Sequence, residues 1–275
     1  MTTILNEIEI SGKSLMKNRQ CCVRIVPSEE GVIKFFVEDS SEPIIADVDN
    51  VVSTNHCVVL GNKRNKIMLT EHFMAACAFS GIDSLDVYVS KSEMPILDGS
   101  SKKWVELFNE AGIEKQNNKK EFYTVSEPIY YLNGKTHLVI LPDEELNITY
   151  AVNYEHPDLE NKWIAYNSKS IKEKANEIVE ARTFGYLKDL KKFQLFGFAR
   201  GVTYENTLGL DKEGYTTELR NEFEPIKHKI LDLVGDLYLT GINPLNLKAQ
   251  IIVKEAGHAV HVIAAKMLKD KLVKI

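Results

Sequence analysis

Lys227, His228, Lys229, Asp232 and Asp236 interrupt the otherwise apolar run IKHKILDLVGD, residues 226–236. Helical periodicity puts Ile226, Ile230, Leu233, Val234 and Leu237 on one side, and His228, Asp232 and Asp236, at i, i+4 and i+8, on another. Such a polar stripe is either the solvated face of an amphipathic helix or a row of ligands and proton-handling groups turned toward a charge. HxxxD alone does not decide between them, because the pattern recurs by accident.

A second motif, TEH at residues 70–72, offers the missing partners. Thr70 is placed to cap a helix, and the following FMAACAFSG is apolar nearly all round, which predicts a buried helix headed by a charged pair. If the two helix starts face each other, His72 joins His228 and Asp232. Two imidazoles and one carboxylate, with a fourth position left for water, have the composition of a catalytic zinc site. Glu71 is turned by about 100° around the helix from His72, so it stands beside such a metal without binding it, where a general base belongs. His258 of EAGHA is positioned to supply a proton to a leaving group, with Asp236 to orient it. A histidine after glycine is otherwise a helix-start surface residue; His261, one turn on, is read in that way, and His56, His137 and His156 join no constellation.

The elements that must hold these residues fall into two halves. EKQNNKKE, residues 114–121, is dense in charge and amide without apolar periodicity, and predicts a linker between a domain at 1–113 and another at 122–275. Each half opens with alternating strands, CCVRIVP and GVIKFFVE in the first, THLVILP and LNITYAVNY in the second, and closes with helices. The closing segments repeat one plan of helix, Gly-Ile, strand, turn and helix, with SGIDSL answering TGINPL. The expected fold is α+β, a duplicated strand-then-helix unit whose two similar domains face each other; turn signals shared by chance are the alternative. The second half carries an insert at about 181–211. Phe184, Tyr186, Leu187, Leu190, Phe193, Leu195, Phe196 and Phe198 crowd it, which makes a small satellite core or an apolar passage for a ligand, with composition favouring the core.

Bulk properties narrow the function. The 275 residues are 44% hydrophobic and 27% charged with a net charge of -5, so no basic stripe awaits a phosphate backbone and nucleic acid is not an expected partner. No apolar run is long enough to span a membrane, and MTTILNEIEISGKSL lacks the layout of a signal peptide, which reads as cytoplasmic. Cys21, Cys22, Cys57 and Cys77 form no CxxC pair, and the adjacent two in an extended segment point to opposite faces. Any metal must therefore rest on histidine and carboxylate.

Taken in order, TEHFMAACAFSGIDSL, EMPILDGSS, ARTFGY, HKILDLVGDLYLTG and GHA resemble the UDP-3-O-acyl-N-acetylglucosamine deacetylases, zinc enzymes of the committed step of lipid A biosynthesis. The similarity runs from near residue 3 to near residue 269. It implies two small, mostly antiparallel sheets with the helices sandwiched between them, an active site between the domains, and an apolar passage built by the insert. It also implies Zn2+ (with Fe2+ as the other occupant) on His72, His228 and Asp232, Glu71 as base, and His258 as the cationic acid partnered by Asp236. Thr183 would hydrogen-bond the oxyanion and Lys229 would hold the substrate nearby. Phe184, Lys135 and Asp189 match positions of the family's substrate site, as does Tyr154 where phenylalanine is usual. The expected partner is an acylated UDP-amino sugar, bound by a monomer. The chain departs from the family in the loop GKSLMKN, which has Met16 in place of a histidine of the nucleotide end and Asn18 in place of a glycine, and in RGVTYEN, which has Val202 in place of a glycine. These departures keep two other readings open: a deacetylase of a different acetylated amino sugar, or a silent paralogue that binds the acylated sugar nucleotide.

Overall fold

The computed structural model describes residues 1–115 and 121–275. Alternation in QCCVRIVP becomes a strand in which Cys21, Val23 and Ile25 are buried and Cys22 and Arg24 exposed. It belongs to a five-stranded sheet of β1 (Ile8–Lys13), β2 (Gln20–Pro27), β3 (Ile33–Val37), β4 (Ile44–Ile45) and β5 (Leu85–Val89), ordered β1-β2-β5-β3-β4. A second five-stranded sheet of β6 (Ile129–Asn133), β7 (Thr136–Pro142), β8 (Asn147–Val152), β9 (Lys162–Asn167) and β10 (Ala249–Lys254) is ordered β6-β7-β10-β8-β9. The two orders are the same. So are the directions, since β3–β5 and β8–β10 are the parallel pairs and all other neighbours run antiparallel.

The helices repeat as well. α1 (Glu71–Ser80) leads from β3 toward β5 and α2 (Lys102–Ala111) follows β5; the second half adds α3 (Ser168–Glu173), α4 (Ala175–Val179) and α5 (Leu187–Leu195), then α6 (Glu224–Tyr238) before β10 and α7 (His258–Lys269) after it. α1 and α6 are the crossover helices of the two parallel pairs, and each is followed by a glycine in the left-handed region, Gly81 at φ 71° and Gly241 at φ 84°. The matched SGI and TGI signals mark these two turns. α1 packs on α6, α2 meets β1, α6 meets β8, and α7 meets β6 and β7, so the helices lie between the two sheets.

Three readings of the sequence meet the structure. The 114–121 segment lies for most of its length outside the described residues, and its first residues extend a strand, Ile113–Lys115, paired with Thr2–Ile4. Thr70 occupies the position before α1, but its side chain makes no capping bond and its Oγ1 is buried without a partner. The polar stripe of α6 is not a solvated face: His228, Asp232 and Asp236 are as buried as Ile230 and Leu233, because α6 is enclosed on both sides.

Candidate active site

Packing α1 on α6 brings the heads of both helices together. His228 Nε2 lies 3.3 Å and His72 Nε2 3.8 Å from Asp232 Oδ1, and ligand atoms of the three residues all lie within 4.8 Å of one another. Tetrahedral ligands about 2.1 Å from a zinc ion stand ~3.4 Å apart, so this spacing suits one cation. His228 Nδ1–H donates to the Ala181 carbonyl at 2.9 Å, which turns its Nε2 lone pair toward the group. Burial keeps both imidazoles neutral, pushing His72 down to about 3 and His228 below its ordinary value. Asp232 stays ionised: burial would raise its pKa, but the charges of Lys229 and His258 hold it well below the usual carboxylate range. Its Oδ1 is buried with no hydrogen-bond partner. A buried carboxylate oxygen facing two imidazole lone pairs is a donor set that fits a metal cation.

Close approach of the helices has a local cause. A Cβ built on Gly235 would sit 2.1 Å from the Glu71 carbonyl oxygen, so only glycine lets the middle of α6 touch the first turn of α1. Glu71 is outside the three-residue group, as its position around the helix predicts. Its Oε2 accepts from the Val58 N–H at 3.1 Å, and its Oε1 lies 3.8 Å from His258 Nε2. Burial, opposed by the nearby imidazole of His258, raises its carboxyl to about 7.

His258 opens α7. Its Nδ1–H donates to Asp236 Oδ2 at 2.8 Å, and its Nε2 lies 4.0 Å from Asp232 Oδ2. Burial would lower its pKa, but Asp236 and Asp232 outweigh it and raise the imidazole to about 9, so it is cationic near neutrality. The surface reading of His261 is overturned. It is fully buried, its Nδ1–H donates to the same Asp236 Oδ2 at 2.8 Å, and its Nε2 lies 2.9 Å from the Tyr150 hydroxyl. Asp236, His258 and His261 would also pass as a metal group, but both N···O distances of 2.8 Å are hydrogen bonds. The i, i+3 spacing of the two histidines in GHAVH was the available signal.

The insert supplies the wall beside this cluster. Thr183 and Phe184 line a cavity of 340 Å³ together with Met16, His56, Phe193 and Phe198, and the Phe184 ring stands 6.0 Å from that of His228. Of the insert's aromatics, Phe184, Tyr186, Phe193 and Phe198 thus face a hollow, and no side chain of α5 is buried, which favours a passage over a satellite core. Thr183 is held by its N–H donating to the Gly99 carbonyl at 2.7 Å, which gives the LDGSS motif a structural use. Lys229 Nζ donates to Asp232 Oδ2 at 2.6 Å and lies 5.8 Å above the Phe184 ring. Tyr154 packs edge-on to Phe184 at 5.4 Å. Asp189 is half-buried in the first turn of α5, and Lys135 is exposed in the β6–β7 turn; neither touches the three-residue group.

Sequence reasoning missed three supports. His56 joins the cavity edge-on to Phe193 at 4.9 Å. His156 is buried against Tyr215, ring centroids 4.3 Å apart. Arg182 donates through Nε and Nη2 to the buried Glu224, whose carboxylate also accepts from the backbone N–H groups of Arg182 and Arg220, and so pins the start of α6 to the segment carrying Ala181 and Thr183. The Asn18 backbone has φ 54°, so the glycine it replaces is answered by the residue type that best tolerates this region.

Comparison with known proteins agrees with the geometry. The profile of the family described as LpxC, UDP-3-O-acyl N-acetylglycosamine deacetylase, matches residues 1–270. Proteins named UDP-3-O-acyl-N-acetylglucosamine deacetylase are similar along nearly all of the chain. That of Thermodesulfovibrio yellowstonii is 32% identical over 264 residues, covering 94% of this chain and 88% of its own. That of Leptospira biflexa is 33% identical over 276 aligned residues, covering 98% and 90%. That of Nautilia profundicola is 34% identical over 243 residues, covering 88% and 83%. With matched length, order of motifs and buried histidine–aspartate group in agreement, the chain belongs to the UDP-3-O-acyl-N-acetylglucosamine deacetylase family.

Proposed function

We propose that this protein hydrolyses the acetamide of UDP-3-O-acyl-N-acetylglucosamine to the free amine and acetate, in lipid A biosynthesis, with zinc held by His72, His228 and Asp232. The observation that carries the reading is the unpartnered, buried Asp232 Oδ1 facing the lone pairs of two neutral imidazoles. Zinc, when bound, supplies Lewis acidity there, lowering the pKa of a water toward about 7 and polarising the amide carbonyl. Iron(II) suits the same donors.

The chain's own groups divide the proton work. Glu71, partly protonated near neutrality because burial raises it to about 7, takes the proton of the attacking water. The water's oxygen adds to the acetyl carbon, and the Thr183 hydroxyl donates to the oxygen that gains charge. His258, cationic at rest, gives its Nε2 proton to the amine nitrogen as the C–N bond breaks, and Asp236 holds the ring for that transfer through Nδ1. Lys229 adds positive charge at the same edge of the group. Phe184, Tyr154, Lys135 and Asp189 serve the sugar nucleotide, and the 340 Å³ cavity takes the acyl chain. The two-sheet plan divides at the 114–121 segment into domains 1–113 and 122–275, with the site at their junction. A cytoplasmic setting belongs to the same reading, supported by four free cysteines of which three are buried.

Amine release from the acylated UDP-sugar, measured as isolated, after chelation and after zinc is restored, tests the proposal. Loss and recovery of activity with the metal is the expected result. Zinc binding without amine release would refute the substrate and turn attention to Met16, whose buried side chain lines the cavity where the family carries a donor.

A further inference from the structure

The outer side of α5 is unlike the rest of the surface. Its inner side, Leu187, Leu190 and Phe193, lines the cavity together with Phe198. Lys188, Lys191, Lys192 and Leu195 point the other way at helical spacing, and Phe196 follows at the tip. Leu195 is 85% exposed and Phe196 70% exposed, and neither lines the cavity. Two adjacent large apolar side chains at a helix tip, held out in water, form a surface without a partner.

The charge around them points to one. Lys191, Lys192 and Arg200 are exposed and make no ion pair among the described residues. Lys188 is already paired with Glu155 at 2.6 Å and is not counted. Lys17 reaches the same protrusion, with its Nζ 5.4 Å from the Phe198 ring centroid and 3.3 Å from the Gly197 carbonyl. Asp189 and Glu205 are the acidic groups of the stretch, and Asp189 is half-buried on α5. In a chain of net charge -5, this gathers unpaired cations beside exposed Leu and Phe. That combination matches an anionic lipid surface, where basic side chains meet headgroup phosphates and apolar ones enter the boundary with the acyl chains.

We propose that the tip of α5 and the turn after it dock on an anionic membrane surface, with Leu195 and Phe196 entering the bilayer interface and Lys191, Lys192, Arg200 and Lys17 on the headgroups. This places the wall of the cavity against lipid, the phase from which a long-chain acylated molecule reaches a protein at lowest cost. That last step rests on the substrate reading above. The docking itself does not, and it is measured without substrate.

The test is co-sedimentation of the full chain with vesicles of phosphatidylglycerol and phosphatidylethanolamine, against vesicles of phosphatidylcholine alone. Binding to the anionic vesicles that weakens as salt rises is expected, with a fall of about tenfold or more in Leu195→Glu/Phe196→Glu and a smaller, salt-independent remainder in Lys191→Glu/Lys192→Glu. Both variants change exposed residues and should keep the wild-type melting temperature and amine release from dispersed substrate. No binding to anionic vesicles, or equal binding by the Leu195→Glu/Phe196→Glu variant, overturns the proposal. So does a wild-type dimer that this variant makes monomeric, since the patch would then be covered by a second copy.

Discussion

Replacing Gly235 by alanine tests whether helix spacing sets the site. The added Cβ would meet the Glu71 carbonyl oxygen at 2.1 Å, the Glu71 carbonyl carbon at 3.0 Å and the Ala75 nitrogen at 3.2 Å. These are backbone atoms that cannot rotate aside, so α1 and α6 must separate by roughly 1 Å or more to relieve the contact. Overpacking of this kind costs about 3 kcal/mol, and about 1 kcal/mol returns because alanine favours a helix interior over glycine. A net loss of about 2 kcal/mol lowers the melting temperature by about 4–8 °C in a chain of this size. The larger effect falls on the metal. His72 rides on α1 and His228 and Asp232 on α6, and metal–ligand distances tolerate only about ±0.2 Å. The variant should therefore bind zinc far more weakly in a chelator competition while remaining folded by circular dichroism. An alanine variant about 1 kcal/mol more stable than wild type, with unchanged zinc affinity, would refute the reasoning.

Glu71→Ala should abolish turnover and leave the zinc stoichiometry at wild type, read by metal analysis of the purified variant; metal loss would make Glu71 a ligand. The pH dependence of kcat/KM should be a bell. Glu71 must be ionised, so activity rises through its pKa of about 7, and His258 must be protonated, so activity falls through its pKa of about 9; a bound cation moves both limbs to lower pH. A flat profile from about pH 5 to 9 would remove both assignments. His261→Phe should lower kcat by about 10–100-fold with KM and zinc content unchanged, because Asp236 loses one of two donors that hold it, and His261→Asn should recover part of the loss. Glu224→Gln breaks a buried ion pair and should cost about 3–5 kcal/mol in urea unfolding. Burial would raise the Glu224 pKa, but Arg182 holds it below its ordinary value, so its contribution is present above that value and lost as pH falls through the folded one. The variant should lose this part of the acid dependence.

How far the residues announced the structure depended on range. Alternation in QCCVRIVP and the apolar FMAACAFSG gave strand and buried helix, because burial follows local pattern when one face or all faces are covered. The candidate metal group was readable as three donors at defensible spacing, and the structure brings them together, yet the meeting of α1 and α6 rests on Gly235, whose role exists only in three dimensions. His261 was misjudged because its partner, Tyr150, is 111 residues away on strand β8. Thr70 showed the opposite failure, a residue of the right type at a helix start whose backbone leaves its hydroxyl unused. Composition misled on the insert, since the same aromatics build either a core or the wall of a hollow, and only their arrangement distinguishes the two.

The repeated sheet order bears on how such a centre can arise. Two equal copies meeting through equivalent helices would have to present the same residues on both sides, as an isologous dimer does. Joined in one chain, the copies are released from that constraint. His72 and His228 keep the shared imidazole, while Glu71 faces the site where its counterpart Lys227 is turned away to Glu177 at 2.5 Å. Counted from their histidines, Asp232 answers Ala76 and Asp236 answers Ser80, so both carboxylates of the cluster's helical stripe belong to α6 alone. Asymmetry of this kind lets the proposed base, Glu71, and the proposed acid, His258, stand beside one histidine–aspartate group, an arrangement that identical subunits cannot offer at a single centre.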